Sequence, residues 1–136
     1  MITKFKIFEN NNRYNNEIFR IIKNYGDEYS LLHNARSLSM YKLLIENGAD
    51  VNNTNNESKQ TTIMFLLNKL SWLGENAEGT KEVYLMIEYL LDNGADVNIK
   101  ENRGRTFLDK LYDSKQYIYN NIKKVKKLKK LKKFLK

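Results

Sequence analysis

Residues Leu43 to Asn52 read LLIENGADVN, and residues Leu90 to Asn98 read LLDNGADVN. A phrase that returns almost letter for letter within 136 residues is an internal repeat, and a repeat decides the architecture before any other feature. Its chemistry is that of a helix end running into a turn. Gly48 and Gly94 stand where the chain leaves a helix through the left-handed backbone region, which a side chain makes costly. Ala49 and Ala95 are small enough for close packing, and Val51 and Val97 are expected to point into a stack. Asp50 and Asn52, and again Asp96 and Asn98, have short polar side chains suited to bonding the amides of a following hairpin.

A second pattern lies outside this phrase. Ser30-Leu31-Leu32-His33-Asn34-Ala35, Thr61-Thr62-Ile63-Met64-Phe65-Leu66 and Thr106-Phe107-Leu108-Asp109-Lys110-Leu111 each open a helical stretch with a hydroxyl residue. Thr61 and Thr106, with Ser30 as a substitute, can cap those helices. From Gly48 to Thr61 is 13 residues and from Gly94 to Thr106 is 12, so two hairpins of similar length follow the two glycines. These residues together resemble the ankyrin repeat family over most of residues 17 to 117, the NGADVN phrase being the specific part and the TPLHxA-like openings the weaker one.

The resemblance implies an all-α fold: a short ankyrin-type helical solenoid with hairpin loops, about two core repeats and divergent terminal caps. It divides a single domain, 1-136, into an amino-terminal cap (1-29), a trimmed repeat (30-60), a second repeat (61-105) and a carboxyl-terminal cap with a Lys-rich tail (106-136). The glycines are 46 residues apart, against a family period of about 33. The excess, roughly a dozen residues, is expected between the two helices of the second repeat, near 71-81. Leu31, Thr62 and Phe107 stand where the family prefers proline, and Met64 and Asp109 replace its usual histidine, which is expected to weaken helix starts. His33 occupies the place where the family's histidine bonds the neighbouring hairpin, so its expected role is structural.

Helical spacing of apolar residues runs through 15 to 25, 31 to 36, 38 to 46, 61 to 73 and 80 to 92. Between the last two, SWLGENAEGT holds the only Trp. Trp72 is expected to close the end of one helix against the next, with an exposed anchor for a partner as the alternative. Beyond Thr106, Ile118, Ile122 and Val125 can pack on the preceding unit. Val125, Leu128, Leu131 and Phe134 recur every third position, which on a continuous α-helix drifts by about 60° per step. Leu128 to Leu135 is therefore expected to wind off the solenoid with lysines on most sides.

Composition narrows the chemistry. No Cys is present and His33 is the only His, which removes disulfides, thiolate metal sites and thiol nucleophiles. Asp50 and Asp96 are claimed by hairpins, and Glu75, Glu78, Glu82 and Glu88 are expected as solvated charge with no partner. GENAEGTK, residues 74 to 81, has the glycine spacing of a phosphate loop but ends Thr-Lys and follows a helix. No enzymatic activity, cofactor or metal is expected. No run approaches the roughly 20 apolar residues that span a bilayer, and the start turns polar too early for a secretory signal, so an intracellular monomer is expected. Lys and Asn each occur 19 times against 5 Arg, the bias of AT-rich coding, which lowers the information in polar runs.

The net charge of +8 is gathered at one end. Lys123, Lys124, Lys126, Lys127, Lys129, Lys130, Lys132, Lys133 and Lys136 fall within the last 14 residues, with no acid among them.

Two functional expectations follow. The resemblance implies a protein-binding adaptor or inhibitor that grips its partner with hairpin tips and the exposed side of the first helices. By position these are Asn53, Asn55, Glu57 and Lys59 on one hairpin, Lys100, Asn102, Arg103 and Arg105 on the next, and Asn68, Lys69, Trp72, Asp113 and Ser114 along or after the helices. Arg103 and Arg105 lead, because arginine is enriched at binding hot spots and lysine depleted at interfaces. A small, diverged chain with this coding bias also looks like a viral or phage protein directed against a host effector. The alternative places function in the Lys-rich tail, as contact with nucleic acid or another acidic surface, including inhibition of a nucleic-acid-handling defence enzyme.

Overall fold

A computed structural model of the chain describes residues 32, 35, 37–54, 57–75 and 78–135. They hold helices α1 (Leu38–Glu46), α2 (Thr62–Leu73), α3 (Thr80–Asp92), α4 (Phe107–Tyr112), α5 (Gln116–Lys124) and α6 (Lys129–Lys132). Among the described residues there is no strand, only an isolated antiparallel bridge between Thr54 and Thr61. The fold they form is all-α. The amino-terminal cap and His33 lie outside the described residues.

The repeated phrase builds the same object twice. At the end of α1, Gly48 has φ 100° and donates to the Ile45 carbonyl, while Ala49 donates to Leu44, each at 3.1 Å. At the end of α3, Gly94 has φ 90° and donates to Leu91 at 3.3 Å, while Ala95 donates to Leu90 at 2.9 Å. Two carbonyls that a helix end leaves without partners are thereby satisfied in each copy, through a left-handed residue that glycine adopts without strain. The cap residues Asn47 and Asn93 add a side-chain bond back to Leu43 and Tyr89, at 2.7 and 2.8 Å. Asp50 then accepts the Asn52 amide and Asp96 the Asn98 amide, both at 2.9 Å.

Packing follows the repeat. α1 and α3, which end in the phrase, pack on each other, and so do α2 and α4, which follow the hairpins; α3 also packs against α2. Leu44, Met64, Leu90 and Phe107 are fully buried, one from each of these helices. Truncating such a leucine to alanine costs about 2–5 kcal/mol, the core being thin enough that little can close over the gap. Much of the stretch near 71-81, where an insertion is expected, is helical. α2 runs on through Leu73 and α3 begins at Thr80, leaving only residues 74 to 79 between them.

Two helix starts differ from expectation. Thr61 makes no side-chain cap bond to α2, and its Oγ1 is buried without a partner. Thr106 does cap α4, and Asp109 completes the box. Thr106 Oγ1 accepts the Asp109 amide at 3.1 Å and Asp109 Oδ2 accepts the Thr106 amide at 2.9 Å. The departure at Asp109 strengthens that start, because an acid three residues after a capping threonine can reach back where other residues cannot.

The carboxyl-terminal segment departs most. It does not wind off: α5 stops at Lys124, the chain turns at Val125, and Leu128 and Leu131 are buried. α6 packs back on α3. The break resets the helical phase, so apolar residues at every third position reach the core instead of spiralling around one axis.

Candidate functional site

The two hairpins are held side by side by main-chain and asparagine contacts. Asn52, from the first copy, donates through Nδ2 to the Gly94 carbonyl at 3.0 Å and accepts the Asp96 amide on Oδ1 at 2.7 Å. Nearer the tips, the Asn102 amide donates to the Ser58 carbonyl at 2.8 Å and its Nδ2 to the Glu57 carbonyl at 3.5 Å. A side-chain amide carries both an N–H donor group and a carbonyl acceptor, so Asn52 matches an adjacent carbonyl and amide, which neither a carboxylate nor an ammonium group could do. It joins the two copies directly.

Glu101 organises the second hairpin. Its Oε1 accepts the Arg103 amide at 2.7 Å and the Arg105 amide at 2.9 Å, and its own amide donates to the Arg105 carbonyl at 2.9 Å. Lys110 lies 4.0 Å from its other oxygen. Burial pushes the Glu101 carboxyl up, but the Arg105 and Arg103 amides and the Lys110 and Arg103 charges outweigh it and hold the group below its ordinary range. Asp109 is lowered too, first by its bond to the Thr106 backbone.

The candidate residues separate into free and occupied groups. Glu57, Lys59, Lys100 and Arg103 are exposed on the hairpins, with Lys59 in the left-handed region at φ 58°; Asn102 is exposed too, but its side chain is engaged with the Glu57 carbonyl. Asn53 is half-buried and accepts the Thr54 amide at 3.1 Å, while Asn55 lies outside the described residues. Arg105 pairs with Asp113 and donates to the Asp109 carbonyl at 3.1 Å, fastening the hairpin to α4. Ser114 Oγ donates to the Leu111 carbonyl at 2.6 Å. Arg105, Asp113 and Ser114 are therefore engaged within the fold, and of the two arginines only Arg103 stands clear.

Trp72 does not close α2 against α3. It is 69% exposed, touching Phe65 edge to face at 5.8 Å between ring centroids, with Asn68 and Lys69 half-buried on the same helix. Leu70 is buried and Leu73 packs against the core in the same turn, so Trp72 is exposed because it lies on the outward side of α2. Sequence spacing could not distinguish this from burial.

Two carboxylates expected as solvated charge are in use. Glu82 Oε2 accepts the Leu38 amide at 2.8 Å, at the start of α1. Glu88 is 7% exposed and accepts the Lys130 amide at 2.8 Å and the Leu131 amide at 2.9 Å, at the start of α6. Each sets a negative charge against the positive end of a helix. No local signal announces them, since each partner lies more than 40 residues away.

Comparison of the chain with family models, curated proteins and solved structures finds no match. Among the described residues no group of His, Asp and Glu is placed to hold a metal, and no helix is long and apolar enough to cross a membrane.

Proposed function

We propose that the chain is a short ankyrin-type solenoid that works by binding a partner protein, not by catalysis. Exposure of Trp72 carries this reading. Tryptophan is the residue type whose exposure forfeits most apolar burial and whose burial at an interface returns most, which is why it concentrates in hot spots. Here it sits at the far end of α2 from the first hairpin, about 15 Å along the helix axis from Thr62. Arg103, on the neighbouring hairpin, supplies the directed polar contact, with Glu57, Lys59, Lys100 and Asn102 around it as a polar rim. Arg105, through Asp113 and the Asp109 carbonyl, fastens that rim to α4.

The narrower reading, a viral or phage inhibitor of a host effector, rests on coding bias and on the resemblance. Affinity capture from candidate hosts tests both levels when wild type, Trp72→Ala and Arg103→Glu are run in parallel. Wild type is expected to retain one protein in stoichiometric amount, and Trp72→Ala to weaken it by about 2 kcal/mol, roughly thirtyfold. Equal affinity in a folded Trp72→Ala chain would remove Trp72 and, with it, the present form of the proposal.

A further inference from the structure

Beyond the hairpin surface, the carboxyl-terminal segment presents a second face. Its apolar residues are spent on the fold: Leu128 and Leu131 are buried, and Val125, Phe134 and Leu135 pack against the core. Glu88 is consumed by the α6 amides, and Asp92 pairs with Lys130 at 3.1 Å. What faces outward is a set of exposed lysines, including Lys124, Lys126, Lys127 and Lys129. A shallow hollow of about 350 Å³ adjoins them, bordered by Lys81, Lys124, Tyr84 and Asn121, with Glu75 as its one carboxylate. The helix turn at Val125 thus converts a lysine-leucine repeat into a surface that is apolar inside and cationic outside.

We propose that this face binds the phosphate backbone of duplex nucleic acid without reading its bases. Three observations choose this occupant. A membrane contact needs apolar residues to insert, and these are already buried in the fold. A protein contact disfavours lysine at its centre. Single strands are held by stacking on aromatic rings, and the only aromatic residue after Tyr119, Phe134, is half-buried in the core. Compact ammonium groups on a fixed scaffold suit phosphates, whose neutralisation releases counterions and makes binding salt-dependent.

The test is fluorescence anisotropy of a labelled mixed-sequence duplex of about 20 base pairs against the full chain, over a salt series. One variant carries Lys124→Gln, Lys126→Gln, Lys127→Gln and Lys129→Gln. A second removes the same charge elsewhere, with Lys59→Gln, Lys69→Gln, Lys100→Gln and Arg103→Gln. The first is expected to bind at least about tenfold more weakly at low salt, with a slope of log affinity against log salt shallower by up to ~3.6, at ~0.9 for each of four lost phosphate contacts. The second is expected to stay within about threefold of wild type. Absence of duplex binding by wild type at low salt, equal losses in the two variants, or tighter binding to phosphatidylserine vesicles than to the duplex would each overturn the proposal. Its failure leaves the hairpin reading intact, since that is scored by protein capture on Trp72 and Arg103 variants.

Discussion

Asn52 and Asn98 occupy the same place in the two copies of the repeat but not the same surroundings. Asn52 bonds the main chain of the next copy at two points, whereas the bond made by Asn98 is local, its amide donating to Asp96. Asn52→Ala is therefore expected to lower stability by about 1–2 kcal/mol and Asn98→Ala by under about 0.5, read from urea midpoints at equal m. Equal effects would mean that the bridge between copies contributes nothing. Glu101 and Asp109 carry a second prediction. Both carboxyls are depressed in the fold, so their contribution is present above the ordinary carboxylate pKa of about 4 and is lost as pH falls through their lower folded values. Amide protection, taken relative to the intrinsic exchange rate at each pH, is expected to fall in the second hairpin and the first turn of α4 below pH ~4, before the core opens. Loss of that early step in Glu101→Gln would confirm the source, and an unaltered profile would contradict it.

At the scale of elements, α3 is the member that others are fastened to. It packs on α1, α2 and α6, and its Glu82 and Glu88 sit at the starts of α1 and α6. A helix of four residues has almost no stability of its own, so α6 persists because Leu131 is buried and Glu88 satisfies two of its amides. Glu88→Ala removes the carboxylate acceptor of both amides and is expected to cost about 3 kcal/mol, two charge-assisted bonds being lost. Limited proteolysis with trypsin should then cut between Lys124 and Lys133 at concentrations that leave wild type whole. If the variant resists trypsin as wild type does, Leu128 and Leu131 hold the segment unaided. The helix limits themselves were legible: periodicity in 38 to 46 and 80 to 92 coincides with α1 and α3. The carboxyl-terminal turn was not, because period-three spacing has two solutions, a drifting helix or a broken one, and the choice depends on Glu88 lying more than 40 residues away.

Across the whole molecule, a repeated local phrase becomes a stack because each copy ends its helix in the same way and thereby aims its hairpin in the same direction. That much could be read from Gly48, Gly94 and the asparagines around them. Which surface is left for a partner could not, because exposure of Trp72 depends on which side of α2 its neighbours cover, and engagement of Arg105 depends on Asp113 coming round beside it. The stacking also places the charge: the hairpins carry mixed signs, while the lysines of the last segment are turned outward by the burial of Leu128 and Leu131. The two proposed contacts are consequently separable by mutation. Both depend on the two copies lying in register. The direct measurement is a pair of nuclear Overhauser contacts in the intact chain, one between the Asp96 amide proton and the Asn52 side chain, the other between the Asn102 amide proton and the Ser58 α proton. Both contacts present is the predicted result; well-resolved signals for all four residues with neither contact would contradict the stacked arrangement.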